Sequence, residues 1–195
     1  MYKRQEYYDA QYRHHKPAAD DRDVWQDWAG KDIYGDTIRD YISSAKEANM
    51  VNMQYNMIYA ATSNSTDGSN YWDDGVDEGW GLWYSENNKH VDKRGERFTF
   101  FMGDTPTEDS TLYFFNLLNK GWQDYIFQKE NESLNVLGYD GWHGDTIGEW
   151  GEMKTADGHY ITVKDTYTDF LNNAKQALGD KYLMCCLLYT SDAAD

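Results

Sequence analysis

Residues 138–151 read GYDGWHGDTIGEWG, and five of these fourteen positions are glycines. Side chains alternate along a β-strand, so a strand here would place Gly141, His143 and Asp145 on one face and Trp142 on the other. Asp145 would lie at the carboxyl end of that strand, which is the end that carries catalytic groups in a parallel α/β barrel. Glycines beside an acid let a bulky substrate approach the backbone and permit a sharp exit turn. In the alternative interpretation Asp145 is the N-cap of a following helix, which the later glycines disfavour.

Strand-like and helical patterns alternate along the rest of the chain. Residues 2–12, 50–62 and 136–146 and the run KYLMC read as strands, 98–102 and 112–118 are further apolar runs, and the polar segment 63–88 reads as a loop or lid. Three amphipathic stripes predict helices between the strands. The stripes are Ile38, Tyr41, Ile42 and Ala45 after a cap at Asp36; Trp122, Tyr125 and Ile126; and Tyr167, Phe170, Leu171, Ala174 and Leu178 before Gly179.

The order βαβαβαβ predicts an α/β fold with a parallel sheet. A closed (β/α)8 TIM barrel needs roughly 250 residues, and this chain has 195. We therefore expect a partial (β/α)8 TIM barrel, comprising about the first five strands.

Composition limits the classes of partner. The formal net charge is −16, and a chain this acidic lacks the clustered Lys and Arg that bind phosphates or anionic lipid. We therefore expect no nucleic-acid binding. The sequence contains no 18-residue apolar run, so we also expect no membrane insertion. The 8 Trp and 17 Tyr fit a sugar-binding groove, because the apolar faces of pyranose rings rest on aromatic side chains.

The two cysteines, Cys185 and Cys186, are adjacent, which argues against a disulfide framework and against a zinc site. We expect no metal and no cofactor. The first residues lack the apolar stretch of a signal peptide. Residues 186–195, CLLYTSDAAD, resemble a translated sequencing adapter, so we expect the folded domain to occupy residues 1–185. The alternative for this end is an ordinary apolar strand with an acidic tail.

Several long segments carry a family resemblance that extends over roughly residues 1–185. The segments are YYDAQYRHHKP (7–17), DWAGKDIYGDTIRDYI (27–42), NMVNMQYNMIYAA (49–61), NKGWQDYI (119–126) and GYDGWHGDTIGEWGEM (138–153). They resemble glycoside hydrolase family 66, the bacterial dextranases and cycloisomaltooligosaccharide glucanotransferases. The resemblance implies an incomplete catalytic domain of a secreted or cell-surface protein that hydrolyses or transglycosylates α-1,6-glucan, such as dextran, by a retaining mechanism.

The resemblance implies that Asp145 is the catalytic nucleophile. A retaining mechanism also needs a protonated carboxyl group about 5 Å away. In the family this acid/base is a glutamate at a later strand end, which we expect to lie beyond the end of this chain. Glu149 and Glu152 are too near Asp145 in sequence to match that position.

The resemblance also implies substrate contacts. Asp9 matches a family aspartate that would bind sugar hydroxyls, and His14 and His15, which follow it, are further candidate substrate contacts. The alternative for these residues is a salt-linked loop. The family more often has an aromatic residue where this sequence has Ala10, which puts stacking at that point in doubt.

Tyr55 and Asn56, at the second strand, could line the same substrate-binding mouth of the barrel or could pack within their strand. His143 would contact a hydroxyl of the sugar held over Asp145, whereas Trp142, on the other face, should pack under helices. Ring-forming transglycosylation is the alternative activity. A non-catalytic carbohydrate-binding protein is a further alternative, although such modules are mostly antiparallel sandwiches. A structural surface protein would explain the acidity but not the motif GYDGWHGD.

Overall fold

The computed structural model describes residues 4–7, 24–26, 32–62, 77–89, 91–101 and 111–187. Its strands and α-helices are, in chain order, β1 (Arg4–Tyr7), β2 (Val24–Gln26), β3 (Asp32–Tyr34), α1 (Gly35–Glu47), β4 (Val51–Met57), β5 (Ala60–Thr62), β6 (Leu82–Tyr84), β7 (Thr99–Phe101), β8 (Thr111–Phe114), α2 (Lys120–Leu137), β9 (Gly141–Ile147), β10 (Glu152–Thr155), β11 (Tyr160–Thr162), α3 (Tyr167–Leu178) and β12 (Tyr182–Leu187). No helix in these ranges is both long enough and apolar enough to cross a membrane.

A four-stranded parallel sheet in the order β1-β4-β9-β12 forms the centre of the fold. The strand order follows the chain order, so every crossover steps in the same direction. Crossovers of one hand that step in one direction place their helices on one face of the sheet. In agreement, α2 contacts both α1 and α3. The expected α/β fold with a parallel sheet is confirmed.

The described residues contain four of the roughly five parallel strands that were expected, and they form an open sheet. The run 50–62 divides into β4 and β5, and β5 joins the antiparallel sheet β5-β8-β7. A second antiparallel sheet, β11-β10-β6, contains part of the segment 63–88 that was predicted to be a loop. Hydrophobic runs show that a segment is extended, but they do not show which strand it pairs with.

The helices form because apolar side chains recur at helical spacing, and their ends have specific caps. The side chain of Asn119 accepts hydrogen bonds from the backbone N–H groups of Gly121 and Trp122, which starts α2. Gly138 ends α2 with φ of 87°, a left-handed conformation that favours glycine. The predicted strand 136–146 is therefore wrong at its start, because residues 136 and 137 are the last turn of α2. The expected stop of α3 at Gly179, with φ of 60°, is confirmed.

The predicted buried stripes are confirmed apart from three positions. Tyr41 is 44% exposed, and Tyr167 and Leu171 are half-buried. Asp36 is not the N-cap of α1; the helix begins after Tyr34, and Asp36 lies in its first turn, where it pairs with Arg39 at 3.0 Å. At the other end of the described chain, β12 continues past Cys185 to Leu187, and residues 188–195 lie outside the described residues.

Aromatic side chains join the small antiparallel sheets to the segments that follow β4 and β9. Phe114 stacks on Tyr59 with ring centroids 4.6 Å apart, and the Trp150 ring lies against both. The guanidinium of Arg97 lies 4.7 Å from the Trp83 ring and donates hydrogen bonds to the carbonyls of Leu82 and Phe114. Every tryptophan whose side chain the structure describes is buried or half-buried. Trp122 and Trp142 belong to the hydrophobic core, and Trp80 and Trp150 pack against it.

Candidate active site

The two faces of β9 have different environments, as its alternating pattern predicts. Trp142 is fully buried on the helix side, where its ring meets Phe170 of α3 edge to face. Its indole N–H donates to the carbonyl of Asn56 on the neighbouring strand. His143 and Asp145 lie on the opposite face of the sheet, away from the helices. The expectation that Trp142 packs under helices is confirmed.

Tyr55, His143 and Asp145 come together at the carboxyl ends of β4 and β9. The parallel register pairs Tyr55 with His143 and Met57 with Asp145. The Tyr55 hydroxyl donates a hydrogen bond to Oδ2 of Asp145. The rings of Tyr55 and His143 meet edge to face, with centroids 5.3 Å apart. Tyr55 and His143 are buried, whereas Asp145 is half-buried and so partly open to solvent. The arrangement presents one oriented carboxylate, that of Asp145, at the carboxyl end of the parallel strands.

Asn56 does not join this group. Its side chain points to the helix side of β4, where Nδ2 donates to Oε1 of Glu130 at 2.6 Å. Asn56 is 3% exposed, so the structure removes it from the expected mouth of the site. The physical reason is the strand alternation that turns the adjacent Tyr55 toward Asp145. Asp9, His14 and His15 lie outside the described residues.

The acids that follow Asp145 are directed elsewhere. The Glu149 carboxylate forms an exposed ion pair with Lys164 at 3.1 Å. The Glu152 carboxylate accepts hydrogen bonds from Ser85 and Asn87, beside the antiparallel sheet that contains β10. Neither of these contacts directs a carboxyl group toward Asp145, which agrees with the expectation that neither residue is its acid partner.

The segment after β9 is held by two side-chain contacts. The Tyr167 hydroxyl donates to the Gly148 carbonyl at 2.6 Å and accepts from the Gly148 N–H at 3.1 Å. Burial raises the pKa of Tyr167 to about 12, so the phenol keeps its proton at neutral pH. The Trp150 indole N–H donates to the Tyr59 hydroxyl at 2.8 Å. These contacts determine how the chain leaves Asp145.

The glycines around Asp145 have separate causes. A Cβ on Gly141 would lie 2.3 Å from the Tyr182 carbonyl oxygen, so β9 and β12 could not approach as they do. A Cβ on Gly144 would lie 2.6 Å from a methyl group of the buried Ile58. Gly138 and Gly151 have positive φ, at 87° and 79°. Strand packing and turn geometry therefore account for these four glycines.

Glu130 is a buried polar residue that the sequence interpretation missed. It is 1% exposed and lies on α2 at a position of the helical stripe that runs through Ile126 and Leu134. A glutamate in an apolar stripe is unusual, because a carboxylate is seldom fully buried without partners. That irregularity was visible in the sequence and could have identified Glu130.

Comparisons with known proteins show the family of this chain. The family model described as Glycosyl hydrolase family 66 matches residues 3–190. The chain belongs to glycosyl hydrolase family 66. Among curated members, it is 28% identical over 178 residues to a cycloisomaltooligosaccharide glucanotransferase from Niallia circulans, covering 89% of this chain and 17% of that protein. It is 26% identical over 174 residues to a dextranase from Streptococcus salivarius, covering 81% of this chain and 18% of that protein.

A solved family structure has the same fold. It is a cycloisomaltooligosaccharide glucanotransferase from Paenibacillus sp. complexed with cycloisomaltoheptaose, with a TM-score of 0.74 and 26% identity. The match covers 93% of this chain and 25% of the glucanotransferase chain. The chain thus spans less than a fifth of the two curated relatives and a quarter of this structure.

Proposed function

We propose that this chain is part of the catalytic (β/α)8 barrel of a retaining, endo-acting glycoside hydrolase that cleaves the α-1,6 bonds of dextran. The observation that carries the proposal is the partly exposed Asp145 at the carboxyl end of β9, with its carboxylate oriented by Tyr55. Barrel enzymes place their catalytic groups at this end of their strands. Family membership supplies the substrate class.

In the proposed reaction, the Asp145 carboxylate attacks the anomeric carbon as the glycosidic C–O bond breaks. The leaving oxygen takes a proton from a second carboxyl group, leaving a glycosyl ester on Asp145. That carboxyl group then removes a proton from water, which attacks the ester and releases a sugar of retained configuration. We assign the second carboxyl group to a glutamate at a later strand end of the complete protein, as the family resemblance implies, since the Glu149 and Glu152 carboxylates are engaged elsewhere.

His143 has a place beside the nucleophile in this proposal. It lies on the Asp145 face of β9, one side-chain layer deeper, against the Tyr55 ring. A residue at that depth can contact a hydroxyl of the sugar bound above Asp145. Asp9, His14 and His15 remain proposed sugar contacts on the family resemblance alone.

The test is Asp145→Ala in the complete protein with dextran as substrate. Turnover should be abolished, because no carboxylate remains to attack the anomeric carbon. Added azide is small enough to occupy the vacated space and should restore some reaction, giving a glycosyl azide of inverted anomeric configuration. Substantial activity without azide would exclude Asp145 as the nucleophile.

Ring-forming transglycosylation is the second candidate, favoured by the match to the Paenibacillus glucanotransferase. In that reaction a hydroxyl of the same glucan chain replaces water as the acceptor. Product analysis separates the two activities: internal hydrolysis gives linear isomaltooligosaccharides, whereas the transferase gives rings. Starch, whose main chains are α-1,4-linked, should be untouched in either case.

A further inference from the structure

Glu130 is the centre of a buried polar cluster on the helix side of β4, formed with Gln54, Asn56 and Ser133. The two carboxylate oxygens of Glu130 accept different amides: Oε2 accepts from Gln54 Nε2 at 3.1 Å, and Oε1 accepts from Asn56 Nδ2 at 2.6 Å. The Ser133 hydroxyl donates to Gln54 Oε1 at 2.5 Å. All four residues are 5% exposed or less.

The hydrogen-bond directions in this cluster are mutually consistent. A carboxylate can only accept, so both amide nitrogens must face Glu130. The Gln54 oxygen then faces Ser133, whose hydroxyl can donate to it. Flipping the amide of Gln54 or Asn56 would set its oxygen against the Glu130 carboxylate, which is costly in a buried site. The cluster therefore holds Gln54 and Asn56 in one orientation.

Tyr55 lies between these two residues and points to the other face of the sheet. Its hydroxyl reaches Asp145, so the cluster and the nucleophile are connected through a single strand position. The backbone orientation of Tyr55 follows from the side chains on either side of it. A small rotation of β4 about its axis would be amplified along the tyrosine side chain and would move its hydroxyl relative to Asp145.

We propose that Glu130 is a positioning residue for the nucleophile, acting through Gln54 and Asn56 on Tyr55 and through Tyr55 on Asp145. The proposal rests on the assignment of Asp145 in the proposed function. It adds a role for a carboxylate that lies on the far side of the sheet from the substrate. It also replaces the expected sugar contact of Asn56 with a contact to α2.

The test exchanges donor and acceptor across the contact between Asn56 and Glu130 in the complete protein. Asn56→Asp places two carboxylates together and should lower kcat on dextran by about 10- to 100-fold, because a 1 Å misplacement near the chemistry can cost roughly 100-fold. Adding Glu130→Gln restores a matched pair: the new amide donates to the carboxylate introduced at position 56, while its oxygen still accepts from Gln54. The double variant should recover kcat to within about 3-fold, since the lost hydrogen bond is re-formed.

Two further measurements separate positioning from general stability. Tyr55→Phe should lower kcat by about 10-fold, because it removes a hydrogen bond to a charged group, and Asn56→Asp in that background should lower it no further. The matched control is Asn131→Ala, next to Glu130 on α2, which removes a hydrogen bond to the Ala177 carbonyl of α3 and does not touch β4. This control should leave kcat unchanged.

A crystal structure of Asn56→Asp gives a readout that does not depend on activity. Displacement of the Tyr55 hydroxyl from Asp145, with return in the double variant, supports the proposal. An unmoved Tyr55, equal loss of kcat with and without Tyr55→Phe, or a double variant that regains its melting temperature but not its kcat would overturn it. If Asn56→Asp raised KM and the added Glu130→Gln did not restore it, Asn56 would be a substrate contact and the positioning role would be wrong. A wild-type protein inactive on dextran would refute the proposed function, while the Tyr55 position would still decide the positioning role.

Discussion

Gly141 allows β9 to approach β12, and Gly141→Ala tests whether that approach requires a glycine. A Cβ at this position would lie 2.3 Å from the Tyr182 carbonyl oxygen and 2.6 Å from the Tyr182 Cβ. Ordinary contacts begin at 3.4 Å, so β12 would have to move by about 1 Å. The obstacle is backbone in the paired strand, which cannot rotate away as a side chain can. Overpacking costs about 1–3 kcal/mol, and we expect a loss near the upper end in the free energy of unfolding.

The matched control for this change is Gly138→Ala. Gly138 has φ of 87° and no atom within 4 Å of an added Cβ, so alanine there meets only the conformational cost of about 1–2 kcal/mol. Both variants would be compared by urea denaturation of the complete protein, followed by tryptophan fluorescence, since Trp142 is fully buried beside Gly141. Gly141→Ala should also lower kcat, because Asp145 lies on the same strand. If Gly141→Ala proved no more destabilising than Gly138→Ala, the close-approach argument would be wrong.

Three further predictions follow from the fold. The Asp140 carboxylate accepts a hydrogen bond from the Asn52 N–H at 2.9 Å and lies 3.3 Å from Lys46 Nζ. Asp140→Asn should therefore cost about 1–2 kcal/mol of unfolding free energy and leave kcat unchanged. A well-folded variant as inactive as Asp145→Ala would contradict the assignment of the nucleophile. The pKa of Tyr167 is raised from 10.0 to about 12, so the stabilisation of the fold by its protonated phenol is complete below pH 10 and is lost as pH rises through 12. Tyr167→Phe has no phenol to ionise, so its free energy of unfolding should fall less than that of the wild type across that interval. Equal losses in the two proteins would contradict the buried hydrogen bond. The 195-residue chain alone should aggregate, because β1 and β12 are open edges among the described residues. It should show no measurable dextran hydrolysis, because the proposed acid/base belongs to a later strand end and general acid catalysis contributes roughly 100- to 10,000-fold. Robust turnover by a monodisperse preparation would make Glu149 and Glu152 candidate acids again.

The sequence by itself determined the helices, the two faces of β9 and the family. Helical spacing of apolar residues predicted α2 and α3, because a helix repeats its buried face every few residues whatever it packs against. Strand alternation predicted that Trp142 and Asp145 lie on opposite faces, because the side-chain period of a strand is intrinsic to its backbone. Long segments such as GYDGWHGDTIGEWGEM carried the resemblance to family 66. These are properties of consecutive residues, so the amino-acid sequence alone is sufficient to show them.

Only the tertiary structure decided which of two adjacent residues, Tyr55 or Asn56, faces Asp145. Both are polar and both were candidates, and the choice depends on the register in which β4 pairs with β9. The number of parallel strands and the partner of Glu130 depended in the same way on contacts between distant segments. The close approach that requires Gly141 is also set by another strand, β12. Pairing and packing between segments far apart in the chain are not encoded in a local pattern, so these features could be read only from the folded chain.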